Sequence, residues 1–195
     1  MDVVTLSQEA FSKKCTELIS NLDFKPELVI GVMYGGGFVL QEIRSNEYFQ
    51  SSKFELVKYQ RNQKVKKNRG IKILLKLLPY KVSDWMRVLE SKKAKKSIAS
   101  LNLKELSKQE INLKFTSELV KPLQKVLIID DAIDTGKTMF IIKNNLNRLF
   151  PNVQIKIAVI SWTIETSIVK PDYFIFKNIL VRFPWSKDYK AKDRL

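Results

Sequence analysis

The sequence contains no histidine and one cysteine, Cys15. The first absence excludes Ser-His-Asp and Cys-His catalysis, histidine metal sites and any histidine-based pH switch. The second excludes an internal disulfide and leaves too few sulfurs for a structural zinc site. No apolar run approaches the ~18 residues that span a bilayer. Met1-Asp2-Val3-Val4-Thr5 also lacks the charged start of a secretory leader. The expectation is a soluble, cytoplasmic protein with no membrane partner. Acidic residues are missing locally as well. None lies between Leu56 and Ser83, where Lys58, Arg61, Lys64, Lys66, Lys67, Arg69, Lys72, Lys76 and Lys81 all fall. A second basic run is Lys92, Lys93, Lys95 and Lys96.

What is present is a chain of 195 residues, 45% hydrophobic, with 35 Lys and Arg against 20 Asp and Glu, a net charge of +15. That length and composition suit a single globular domain. The positive field attracts polyanions, whether phosphorylated metabolites or nucleic acid at segments 58–81 and 92–96. The plainer reading of the same lysines is a solvated surface that keeps the protein in solution.

The apolar pattern orders the chain. Phe11, Cys15, Leu18 and Leu22 share one helical face, predicting an amphipathic helix from Thr5 to Leu22 with Thr5 and Gln8 as a capping box. Cys15 on that face reads as core. Leu28 to Met33 reads as a strand buried on both faces, closed by a loop at Gly35-Gly36-Gly37 before a helix from Phe38 to Arg44. Phe54 to Lys58 is a further strand. A helical pattern follows a Ser83 cap at Trp85, Met86, Val88 and Leu89. Val126 to Ile129 is an apolar strand ending in Asp130-Asp131; Ile141, Ile142, Leu146 and Leu149 mark a helix stopped by Pro151. Val153 to Trp162, Tyr173 to Phe176 and Ile179 to Phe183 complete the strands. Strands alternating with helices predict an α/β fold with a parallel sheet flanked by helices.

The segment that carries chemistry is Val126-Leu-Ile-Ile-Asp-Asp-Ala-Ile-Asp-Thr-Gly-Lys-Thr-Met139. A buried strand delivers Asp130 and Asp131 at its C-terminal end, where open α/β sheets bind ligands. The turn Asp134-Thr135-Gly136-Lys137-Thr138 then opens a helix, whose free N–H groups, hydroxyls and dipole suit a phosphate. Gly-Lys-Thr also ends a Walker A loop, but that motif needs a glycine where Asp131 stands, and a carboxylate there would repel a nucleotide.

This segment resembles the phosphoribosyl-pyrophosphate (PRPP) motif of type I phosphoribosyltransferases, most of all in the hypoxanthine/xanthine branch. The resemblance implies that Asp130 and Asp131 hold the ribose hydroxyls and, through them or through water, Mg²⁺. It implies that Asp134 to Thr138 hold the 5′-phosphate, with Thr135, Gly136, Lys137 and Thr138 as contacts. Asp134 matches the general base near the purine N7. Gly31-Val32-Met33-Tyr34-Gly35-Gly36-Gly37-Phe38 is similar to the family's pyrophosphate loop, which makes Tyr34, Gly35 and Gly36 substrate contacts. Lys170 to Phe174 and Arg182-Phe183-Pro184-Trp185 are similar to the hood over the base, where Leu180, Val181 and Trp162 are assigned to the base pocket. The implied organisation is one domain over 1–195. It has a flexible loop at about 58–70, a helical insertion at about 71–121, the PRPP motif at 126–139 and a C-terminal hood at about 163–195. The implied partners are PRPP and a nucleobase, the cofactor Mg²⁺, and the assembly a homo-oligomer, a dimer.

Three positions depart from the family pattern. Tyr34 stands where many relatives carry Lys or Arg. Ser161-Trp162-Thr163 offers no lysine to read an exocyclic oxygen of the base. Leu180 replaces the usual stacking aromatic. Three functions stay open: a purine-type phosphoribosyltransferase, a regulatory or nucleic-acid-binding protein on the same fold, and a transferase with a non-purine acceptor.

Overall fold

The computed structural model describes residues 1–59, 78–111, 113 and 123–190. Five parallel strands form the main sheet in the order β3-β2-β4-β5-β6: β2 is Leu28–Val32, β3 Lys53–Val57, β4 Lys125–Ile133, β5 Gln154–Trp162 and β6 Tyr173–Lys177. A parallel α/β sheet is therefore borne out. Register is set by apolar pairs such as Ile30 beside Ile128 and Ile128 beside Ile157. All five residues of β2 are buried, as expected of a strand covered on both faces.

Helix α1 (Gln8–Ser20) and helix α2 (Gly35–Ile43) cover one face of the sheet, where Phe11, Leu18, Val39 and Leu40 pack against Val29, Leu127 and Ile160. On the other face, Met139, Ile142 and Leu146 of helix α5 (Lys137–Leu149) meet Ile30, Ile128 and Ile157. The connection from β3 to β4 contains α3 (Tyr80–Ile98) and α4 (Leu103–Ser107). The rest of the predicted 71–121 insertion, and the basic segment from 60 to 77, lie outside the described residues.

The structure corrects several expectations. Thr5 does not cap the first helix; it ends a strand, β1 (Asp2–Thr5), and Ser7 takes the cap by accepting the Ala10 N–H at 3.1 Å. The reason is non-local. β1 pairs in parallel with β7 (Ile179–Arg182) in a separate two-stranded sheet, matching Val3 to Leu180 and Val4 to Val181. Tyr173–Lys177 joins the main sheet as its edge strand, so that part of the expected hood is core framework. Ser83 is no cap either: α3 begins at Tyr80 after Pro79, and Ser83 is buried within it.

Arg182, at the end of β7, is only 1% exposed. Its guanidinium donates to Asp188 Oδ2 at 2.9 Å, to Thr5 Oγ1 at 2.7 Å, to Ser83 Oγ at 2.9 Å and to Asp84. Arg87 adds a salt bridge to Asp188 at 2.5 Å. This network joins α3, the β1–β7 sheet and the C-terminal segment around one buried cation. A buried guanidinium needs such a full set of acceptors.

Candidate functional site

β2 and β4 are neighbours and parallel, so the segments that follow them emerge at the same edge of the sheet. α2 starts three residues after β2, and α5 four residues after β4. Two helix N-termini, each with the positive end of its dipole toward the site, thus flank the end of β4. The glycines predicted as a loop are instead the first turn of α2, and Tyr34 is its N-cap residue. Close packing accounts for this. A Cβ on Gly35 would lie 2.1–2.2 Å from the Asp131 carboxyl atoms, and one on Gly36 would lie 2.4 Å from Ile129 O. Gly136, the N-cap residue of α5, has φ 80°, and a Cβ there would come within 2.7 Å of Val169 N. Only glycine combines that backbone with that space.

Asp130 and Asp131 lie near the C-terminal end of β4 and line a cavity of about 1010 Å³. Asp131 N–H donates to Asp130 Oδ1 at 2.9 Å. Burial, together with the adjacent Asp131 charge, pushes the Asp130 carboxyl well above the usual carboxylate range. Burial also raises Asp131, against the hydrogen bond that Trp185 donates.

Tyr34, Gly35, Asp134 and Thr138 line the same cavity, as do Leu180 and Val181. Asp134 lies exposed in the turn before α5. Thr163 Oγ1 lies 2.7 Å from Ile133 O and within hydrogen-bond reach of Asp134 Oδ1; its single proton serves one of them at a time. Thr135 Oγ1 accepts weakly from Lys137 N–H at 3.4 Å. Trp162 is not part of the cavity. Its ring sits in the core beside Phe174 and its indole N–H donates to Ser167 Oγ at 2.9 Å, so the base-pocket assignment fails there. Strand alternation sends its side chain away from the edge that Ser161 and Thr163 share. Ser161 in turn donates to Ile179 O at 2.6 Å.

Sequence reasoning missed part of the wall. Arg87, Glu90 and Ser91 from α3, Lys58 after β3 and Lys187 near the C-terminus all face the cavity. The spacing of residues 87, 90, 91 and 94 on one helical face was the available signal, but nothing local said what that face met.

Neither a family model nor a curated sequence matches this chain. Solved structures do match. A purine phosphoribosyltransferase from Pyrococcus horikoshii superposes with a TM-score of 0.60 at 21% identity, over 95% of each chain. The fold is that of the type I phosphoribosyltransferases. A xanthine-guanine-hypoxanthine phosphoribosyltransferase from Helicobacter pylori shares it at 0.58 and 14% identity, over 94% of this chain and 91% of its own. So does a hypothetical protein from Neisseria gonorrhoeae with bound ppGpp, at 0.55 and 13%, over 94% and 89%. On this phosphoribosyltransferase fold, the carboxylate pair and the two helix starts lie at the carboxyl edge of the sheet, where open α/β folds bind ligands. Among the described residues, no helix is long and apolar enough to cross a membrane.

Proposed function

We propose that the protein is an Mg²⁺-dependent phosphoribosyltransferase that moves the 5-phosphoribosyl group of PRPP onto a purine-type nucleobase and releases pyrophosphate. The observation that carries this reading is the placement of Asp130 and Asp131 between the N-termini of α2 and α5 in one cavity. PRPP has two anionic ends and a diol between them, and the site has two anion-seeking helix starts with two acceptors between them. The neighbour with bound ppGpp, another ligand bearing pyrophosphate groups, supports an anion site on this fold.

In the reaction the bond from the sugar's C1 to the pyrophosphate oxygen breaks, and pyrophosphate leaves with the electron pair. The base nitrogen forms the new bond to C1 and gives up its proton to Asp134. Thr163 steadies that carboxylate, and Thr135, Gly136, Lys137 and Thr138 hold the 5′-phosphate. Tyr34, Gly35 and Gly36 face the pyrophosphate, and Leu180 and Val181 border the base. Asp130 and Asp131 would hold Mg²⁺ indirectly, a fit for an ion that takes one or two carboxylates and keeps substrate phosphates and water; it would neutralise charge on the leaving group. Catalysis then rests on positioning and electrostatics, needing no protein nucleophile. The chain works in the cytoplasm, where PRPP is available, and as a dimer.

The test is a panel of nucleobases with PRPP and Mg²⁺, following pyrophosphate release. Release with a 6-oxopurine supports the purine reading, release only with another base assigns a non-purine acceptor, and no PRPP binding at all overturns the proposal. One observation favours a nucleic-acid role beside it. Lys81, Trp85, Lys92 and Lys96 share the outer face of α3, with Trp85 63% exposed, while Arg87, Glu90 and Ala94 face the cavity. Lysines flanking an exposed indole suit single-stranded nucleic acid. Binding of a short oligonucleotide that weakens steeply with salt would support this role, and a flat salt response would end it.

A further inference from the structure

Asp131 has a partner far away in sequence. The indole Nε1–H of Trp185, which also lines the cavity, donates to Asp131 Oδ2 at 3.1 Å. The ring is held by other rings. It stacks on Phe38 with centroids 4.3 Å apart and 15° between planes, and on Phe183 at 4.8 Å and 7°. Phe11 meets its edge at 5.0 Å and 86°. An indole packed in this way has little rotamer freedom, so its single N–H is aimed at one point. On the other side the carboxyl group rests on Gly35, where even a methyl group would overlap it. The carboxylate is clamped between a glycine and an indole.

We propose that Trp185 is a positioning residue for the acidic pair: its indole N–H turns the Asp131 carboxylate toward the ribose hydroxyls. This rests on the PRPP reading of the site. It also has a structural corollary. Trp185 follows β7 directly, and Leu180, Val181 and Phe183 of that stretch line the same cavity. Order at the sugar site and order in the wall beside the base therefore reach one another through a single ring.

The experiment measures PRPP binding with Mg²⁺ by calorimetry at neutral pH for the wild type, Trp185→Phe, Asp131→Asn and the double variant. Phenylalanine keeps an aromatic ring between Phe38 and Phe183 and removes the donor. We expect Trp185→Phe to weaken PRPP by about tenfold or more, as for loss of a hydrogen bond to a charged group. In the Asp131→Asn background the same change should have little further effect, since both act on one contact. Equal affinity in Trp185→Phe, or the same loss in both backgrounds, overturns the inference while leaving the PRPP reading intact. A wild type that binds no PRPP overturns that reading instead. The inference is then decided by the ¹⁵N indole resonance of Trp185, assigned by its loss in Trp185→Phe. A resonance displaced in Asp131→Asn upholds it, and one left in place overturns it.

Discussion

Asp134 and Gly35 make the sharpest demands on single side chains. Asp134 sits in the turn before α5 with Thr163 beside it and lines the cavity, and the proposed function makes it the base. Asp134→Asn should therefore lower turnover by about 10²–10⁴-fold, the usual range for a lost general base. PRPP affinity by calorimetry should stay within a few-fold of wild type. Unchanged turnover would remove Asp134 as the base. Gly35 tests the opposite property, space. In Gly35→Ala the new Cβ would fall 2.1–2.2 Å from the Asp131 carboxyl, so the carboxylate or the start of α2 must move. Overpacking of this kind costs about 1–3 kcal/mol, and here it should appear chiefly as lost PRPP binding. Unaltered affinity would show that Asp131 does not need its present place.

α3 is held to the β1–β7 sheet by charge, and that joint has its own signature. Burial alone would raise the Asp188 carboxyl, but hydrogen bonds and charge from Arg87 and Arg182 override it and hold the group far below the usual carboxylate range. Asp188→Asn takes away one of the two carboxylates that neutralise buried Arg182, leaving Asp84 alone, and should cost up to about 3–5 kcal/mol, read as a fall in thermal midpoint. A loss below about 1 kcal/mol would mean that Asp84 alone suffices. This joint also shows where sequence reading stopped. β2, β4, β5 and the turn at Gly136 were legible because unbroken apolar runs and a glycine state their environment locally. The pairing of Val3 with Leu180 spans almost the whole chain, and four-residue β1 carries too little pattern to announce it. Arg182 read as one residue of a hood, since nothing beside it in sequence told of Asp84, Ser83 or Thr5. Trp162 and Trp185 were alike as letters; strand alternation buried the first, and the aromatic stack brought the second to Asp131.

Across the whole molecule, two sets of carboxylates pull stability in opposite directions with pH. Asp188 is depressed in the folded state, so the stability it contributes is present above the unfolded-state value of about 3.9 and is lost as pH falls below it. Asp130 and Asp131 are raised, so the folded state binds protons more readily than the unfolded chain there. Their penalty is absent below that same value and grows as pH rises through their folded midpoints. The ligand-free protein should therefore be most stable at mildly acid pH, and less stable on either side. On the proposed function, PRPP with Mg²⁺ would engage the ionised pair and relieve the upper limb selectively. Ligand should raise the thermal midpoint more at neutral than at mildly acid pH, moving the optimum upward. Melting curves at several pH values, with and without PRPP and Mg²⁺, check this. A ligand-induced shift of the same size at every pH would mean that binding does not depend on the charge of Asp130 and Asp131, and that the anion-seeking helix starts of α2 and α5 hold the substrate on their own.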